Sequence, residues 1–202
     1  MWQTRRGHLK IFFSYAKNSG KTLAMLKAAQ EAKTQGVSVL IGYIAPNLSG
    51  DGPEINGLEI LNPLLVNGKK EFNLDLALKR KPDLLLIDEL AHCNIPGSRH
   101  RKRYQDIHEL LKAGIDVYTT VNVGNIESLH DTVSTITGIS SWERIPDSVF
   151  DQADQVELID IEPSELIERL GRPGAQASPF TAQQLTALRE TALRRCADRV
   201  KW

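Results

Sequence analysis

Ser14-Tyr-Ala-Lys-Asn-Ser-Gly20-Lys21-Thr22 is the stretch that decides the reading of this chain. It follows the apolar run Leu9-Lys-Ile-Phe-Phe13, which reads as a buried strand. After it, Met25, Ala28, Ala29 and Ala32 recur at helical spacing, and Gly36 stands where a helix C-cap belongs. In the order strand, polar loop, helix, the backbone N–H groups of the loop and of the helix N-terminus converge on an anion. Lys21 then brings an ammonium to the β- and γ-phosphates of a nucleotide, and the Thr22 hydroxyl is a ligand for Mg²⁺. Asn18, Ser19 and Gly20 complete the phosphate-binding set. The pattern G-x-x-x-x-G-K-[ST] is broken once, because the position five before Gly20 is Tyr15. Asn18 tolerates a positive φ and tyrosine does not. Two other readings stay open: an ordinary helix start, and a degenerate loop that binds weakly or not at all.

Working outward, strands and helices alternate. Val37–Ile44 reads as the second strand, and 46–57 as a loop rich in Pro, Gly, Asn and Asp. Leu58–Phe72 reads as an antiparallel hairpin turning at Asn67-Gly68, and Leu74–Lys81 as a short helix. Asp83-Leu-Leu-Leu-Ile-Asp88 is apolar throughout its middle, as in strands covered on both faces of a parallel sheet. Tyr104, Ile107, His108 and Leu111 stripe a helix ended by Gly114, and Ile115–Val121 is a β-branched strand. Ile126, Leu129, Val133 and Ile136 stripe the next helix, which stops at Gly138. Val156–Ile161 is the last expected strand, and Pro163–Leu170 a helix. A Gly/Pro/Ala break over 171–179 precedes a helix opened by the capping box Thr181-Ala-Gln-Gln184. This alternation predicts a doubly wound, mostly parallel α/β sheet of the P-loop NTPase type with a small β-hairpin insertion. Residues 1–170 are expected to form the nucleotide-binding domain. Residues 171–202 are expected to be a loop and helix leading to an absent downstream region.

Asp88 and Glu89 end the most apolar strand. A carboxylate at the C-terminal tip of a parallel strand points into the crevice where ligands of open α/β sheets bind. Beside Gly20-Lys21-Thr22, Asp88 is the Mg²⁺ holder and Glu89 the candidate base that orients an attacking water. The alternative is that both acids merely end a strand. The loop behind them carries Arg99, Arg101, Lys102 and Arg103 within five residues. Arg99 or Arg103 could sense the γ-phosphate. The same run could instead be a solvated basic loop or a dock for an acidic partner. His92 and Cys93 are adjacent, and adjacent residues rarely converge on one metal. The stretch from Glu143 to Glu168 holds nine acids, read as a solvated face or as a complement to a basic loop elsewhere.

Composition narrows the classes. The chain has 202 residues, and its 25 Lys+Arg balance 25 Asp+Glu, which argues against a general nucleic-acid binder. No apolar run reaches the ~20 residues of a membrane-spanning helix, and the basic start lacks the apolar core of a signal peptide. Cys93 and Cys196 form neither a disulfide framework nor a zinc spacing. These features point to a soluble cytoplasmic domain.

Longer segments then resemble the N-terminal domain of the KdpD family, bacterial potassium-sensing histidine kinases. The resemblance is carried by Asp88-Glu-Leu-Ala-His92, Asn94, Pro96-Gly-Ser-Arg-His100, Lys102-Arg and Gln105-Asp106. It continues through Glu109-Leu-Leu, Ala113-Gly-Ile-Asp-Val-Tyr-Thr-Thr120, Asn122, Glu127-Ser-Leu129 and Ile136-Thr-Gly138. Ala153-Asp154, Val156-Glu-Leu158 and Leu188-Arg-Glu-Thr-Ala-Leu-Arg-Arg-Cys-Ala-Asp-Arg-Val200 extend it to nearly the whole chain. The family loop typically has glycine at the positions of Ser14 and Asn18, and an acid and a histidine at those of Ala45 and Asn47. Arg101 replaces a usual proline.

The resemblance implies an ATP-binding regulatory input domain of a two-component potassium/osmotic sensor kinase. Its cofactors would be ATP and Mg²⁺, and its partners the other domains of the kinase or another copy of the chain. It would lie on the cytoplasmic face of a membrane-anchored parent, with no direct membrane insertion of this segment and no histidine kinase core. Two alternatives remain: a degenerate pseudo-NTPase that docks proteins, and a slow free-standing ATPase.

Overall fold

The computed structural model describes residues 5–46, 55, 57–172 and 178–200. Most of the 46–57 loop and the centre of the 171–179 break, together with Asn47, lie outside the described residues. Six strands form the main sheet: β1 (Leu9–Ser14), β2 (Val39–Tyr43), β3 (Glu59–Ile60), β6 (Leu84–Ile87), β7 (Asp116–Asn122) and β8 (Gln155–Leu158). Their order is β3-β2-β6-β7-β1-β8, and neighbours run parallel. A separate antiparallel pair, β4 (Leu64–Val66) and β5 (Lys69–Glu71), turns at Asn67-Gly68.

The period-two alternation of the strands sorts the core into two layers. Phe12, Ile41, Leu84 and Leu86 pack under α1 (Lys21–Thr34) with Met25, Leu26 and Ala29. Ile11, Phe13, Leu85, Ile87 and Val117 face the opposite layer. That layer contains α2 (Leu74–Arg80) and α3 (Arg103–Lys112), which contribute Ala77, Ile107, Leu110 and Leu111. Leu84–Ile87 is buried along its whole length, as an all-apolar central strand requires.

Further along, α4 (His130–Thr137), α5 (Asp147–Asp151), α6 (Pro163–Leu170) and α7 (Ala182–Arg199) close the structure. Leu185, Leu188 and Ala192 of α7 are buried in the same layer as Phe13 and Phe150. The two phenyl rings meet edge-on at 4.9 Å.

Three local expectations change. The hairpin is shorter than 58–72, because Glu59–Ile60 pairs with β2 at the edge of the main sheet. Pro63, which has no N–H to donate, stands between that strand and β4. The Ile126–Ile136 stripe becomes a helix only from His130. Before it, two 3₁₀ turns flank Ile126, whose neighbours are tied to Ile145 by Glu127 N–H to Ile145 O and Ile145 N–H to Asn125 O. The short helix α5 was not anticipated; it follows Pro146 and carries Phe150 into the core.

The acidic stretch is not a free face. Asp147 and Asp151 pair with Arg195 of α7, Asp160 and Glu162 pair with Arg189 of α7, and Glu157 pairs with Lys10. The arginine pairs fasten the last helix to α5 and to the segment leading into α6, while Lys10–Glu157 ties β1 to β8.

Candidate functional site

Strand register brings the site together. Ser14 lies opposite Asn122, and Ile87 opposite Thr119, so Ser14, Asp88 and Thr120 meet along the carboxyl edge of the sheet. The chain leaves β1 there and turns into α1 through residues 15–20. Asn18 and Gly20 adopt positive φ, 61° and 99°, and Tyr15 does not. The position that sequence reading found awkward therefore needs no glycine. The Tyr15 ring is buried, and its hydroxyl donates to the Ile161 carbonyl at 2.7 Å. Burial pushes the phenol up to about 12, so this donor persists across the physiological range.

Gly20 is the N-cap of α1, and no side chain caps the helix. The first turn of α1 holds no acid of its own, so the positive end of the helix dipole favours an anion. Lys21 folds back over the loop. Its ammonium donates to Ser14 Oγ and the Ala16 carbonyl, each at 3.0 Å, and lies 3.5 Å from Ser19 Oγ. Burial draws its pKa down to about 8, opposed by the Asp88 carboxylate. Thr22 Oγ1 donates to the Asp88 carboxylate at 3.1 and 3.3 Å.

Asp88 is buried and saturated with donors. Besides Thr22, it accepts from Ala45 N–H at 3.1 Å, Glu89 N–H at 3.2 Å and the Thr120 hydroxyl. Glu89 itself turns with φ 62°, and its side chain is 48% exposed. Burial of its carboxylate and the neighbouring Asp88 raise its pKa.

Behind this edge lies a charge cluster that sequence reading missed. Arg103 is fully buried; it donates to the Asp88 carbonyl at 2.9 Å and to Glu71 at 2.9 Å, and it stacks over the Tyr43 ring at 4.0 Å. Glu71, also buried, accepts further from Ile95 N–H at 2.9 Å and His92 Nε2 at 3.0 Å. Burial alone would raise Glu71, but the Ile95 N–H, His92 and Arg103 outweigh it and hold the carboxyl below its ordinary range. His92 Nδ1 lies 3.6 Å from Glu143. Nothing in Lys69-Lys-Glu71 distinguishes this glutamate from a surface hairpin acid; the contact is purely tertiary.

Glu143 and Glu71 hold the His92 imidazole above its ordinary value of 6.5, against burial and Arg103. A raised imidazole contributes stability that is fully present below 6.5 and lost as pH rises through the folded value. The melting temperature is therefore expected to decline from pH 6 toward pH 8 by an amount that His92→Gln removes. Identical pH slopes in the two proteins would contradict the pairing.

The two arginines expected to sense a phosphate are both engaged. Arg99 is held by Asp75 at 2.7 Å and by Glu109, on the α2–α3 surface. Arg103 is sealed under Asp88 as described. The structure thus brings Asn18, Ser19, Gly20, Lys21, Thr22, Asp88 and Glu89 to one edge, places Arg103 just beneath it, and leaves Arg99 among other partners. Among the described residues no cluster of three or more His, Cys, Asp or Glu could hold a metal, and no helix is long and apolar enough to cross a membrane.

Comparison with known proteins gives a consistent result. The family described as "KdpD: Osmosensitive K+ channel His kinase sensor domain" matches residues 5–200. Sensor protein KdpD of Clostridium acetobutylicum is 51% identical over 98% of this chain, and that of Escherichia coli 48% over 96%. The Mycobacterium tuberculosis protein of the same name is 39% identical over 96%. The chain spans 23–24% of the length of these relatives. With the match running through Asp88, Glu89 and Arg103 and across nearly every described element, the chain belongs to the KdpD sensor-domain family.

Proposed function

We propose that this domain is a nucleotide-responsive input module of a potassium/osmotic two-component sensor kinase, acting on the cytoplasmic side. The observation that carries the proposal is the pairing of an uncapped α1 N-terminus bearing Lys21 with a Thr22 hydroxyl that faces Asp88. ATP would lay its phosphates against the backbone of residues 15–22, and Lys21 would exchange Ser14 and Ala16 for phosphate oxygens.

Mg²⁺ fits the donor set. Two oxygens on adjacent vertices of a Mg²⁺ octahedron with ~2.1 Å bonds are about 3 Å apart. Thr22 Oγ1 and Asp88 are 3.1–3.3 Å apart. Mg²⁺ is usually bound by one or two protein oxygens plus phosphates, so a larger acid cluster is not required. Thr22 would ligate it directly, Asp88, whose oxygens already accept from four donors, would hold it through bound water, and its charge would neutralise the phosphate chain.

The regulatory step is a population shift. Asp88 touches the ligand side through Thr22, and its carbonyl touches Arg103. Arg103 in turn holds Glu71 of the hairpin, and Glu71 holds His92. A change at Asp88 therefore reaches the β4–β5 hairpin and the loop after Glu89 through direct bonds. The other domains of the kinase, or a second copy of the chain, would read that surface.

Thermal stability tests the proposal. MgATP or MgADP at 100 times its Kd should add about 2.7 kcal/mol, or roughly 5–11 °C for a chain of this size. Asp88→Asn should reduce the Mg²⁺-dependent part of that gain. No shift with either nucleotide would overturn the reading and favour a docking domain that binds none. Hydrolysis is a second reading, favoured by the raised, half-exposed Glu89 beside Asp88. Phosphate release that vanishes in Glu89→Gln would establish it.

A further inference from the structure

Two contacts lay α6 along the phosphate loop. At its start, Tyr15 donates to Ile161, two residues before the helix. At its end, Arg169 reaches Gly20: a Cβ built on that glycine would sit 3.7 Å from Arg169 Nη1. The guanidinium thus stands beside the N-cap of α1, where the anion-facing N–H groups begin.

Arg169 differs from the other arginines near this edge in what it is bound to. Its hydrogen-bonded partner is Glu165, one turn earlier on the same helix, at 3.2 Å. Both side chains are largely exposed, 42% and 60%. An exposed i,i+4 pair is worth only about 0.3–0.5 kcal/mol, so it gives way easily to a better anion. Arg99 is forked between two acids and Arg103 is sealed in the core between Glu71 and the Asp88 carbonyl, so neither can turn to a ligand without breaking an ion pair. A guanidinium presents five donors in a plane and matches phosphate oxygens in pairs.

We infer that Arg169 is a phosphate-binding residue of this site, closing over the polyphosphate of the bound nucleotide from α6 opposite Lys21. The inference rests on the nucleotide reading and adds the residue that couples it to the C-terminal helices. α6 packs on α7, and Arg189 of α7 holds Asp160 and Glu162 at the start of α6. A phosphate gripped by Arg169 therefore pulls on the same helix pair that Tyr15 already ties to the loop.

Isothermal titration of the whole chain with MgATP, magnesium tripolyphosphate and adenosine separates the possibilities, with the wild type, Arg169→Ala and Arg169→Lys compared. Arg169→Ala should weaken MgATP and tripolyphosphate alike, by about tenfold to a hundredfold, and leave adenosine unchanged. Arg169→Lys should recover part of the loss, and the ligand-free melting temperature should not move. Equal affinity in wild type and Arg169→Ala would overturn the assignment of Arg169 alone. So would a loss shared by adenosine, which would mark a contact to the base. A wild type that binds neither phosphate ligand would overturn the nucleotide reading, and Arg169 with it.

Discussion

Arg103→Ala is expected to destabilise the protein by about 3–5 kcal/mol, the cost of breaking a buried ion pair from one side. For a chain of this length that is a fall of roughly 6–20 °C in melting temperature. The reason is Glu71. It is 2% exposed, and its charge is held by Arg103, His92 and the backbone N–H groups of Ile95 and Phe72. Removing the guanidinium strands that carboxylate, frees the Asp88 carbonyl and leaves a cavity against Tyr43. Pairing Arg103→Met with Glu71→Leu removes both charges and should restore a good part of the loss, since buried pairs are often replaceable by apolar groups of similar size. A double-mutant cycle measures the coupling. A single mutant within 1 °C of wild type would contradict the burial and the pairing described here.

Lys21→Met should move two quantities in opposite directions. The nucleotide-induced rise in melting temperature should disappear, while the ligand-free protein becomes more stable. Burial lowers the Lys21 pKa from 10.5 to about 8, so the fold disfavours the charged form. For a cation with a depressed value, stability is penalised below the folded pKa and recovers as pH rises from about 8 to 10.5. A methionine of similar length carries no such penalty. After the bonds to Ser14 and Ala16 are lost, a net gain on the order of 1 kcal/mol is expected, or about 2–4 °C. Melting curves with and without MgATP check both arms. A less stable ligand-free variant that keeps its nucleotide response would refute the account of Lys21.

The elements most legible in the sequence are those whose residues are dictated by a single environment. Leu84–Ile87 had to be apolar on both faces, and it stands at the centre of the sheet. Gly20-Lys21-Thr22 and Asp88 are 66 residues apart at Thr22 and Asp88, yet strand ends on one edge bring them within hydrogen-bond reach. Tyr15 breaks the glycine pattern, but its backbone does not take the positive φ that would demand glycine there. The structure satisfies the backbone through Asn18 and Gly20 and spends the tyrosine on packing.

What stayed hidden was the pairing of charges. A run of four basic residues after Asp88 reads as a solvated loop, and nothing local marks Arg103 as fully buried or Glu71 as its partner 32 residues earlier. The acids from Glu143 onward read as a free face for the same reason, although Arg189 and Arg195 of α7 absorb several of them. Periodicity also overstated regular structure around Ile126, where bonds to Ile145 hold the chain extended.

The two outer strands of the main sheet bear on how the molecule behaves in crowded solution. A parallel sheet with long, flat, apolar margins would be a template for further strands and so for aggregation. Here one margin is β3, only two residues long and exposed. The other is β8, four residues that include Gln155 and Glu157, preceded by Asp154, with Lys10 paired to Glu157 across the neighbouring strand. The growth of the sheet is halted by shortness at one side and by charge at the other, so neither margin recruits its own kind.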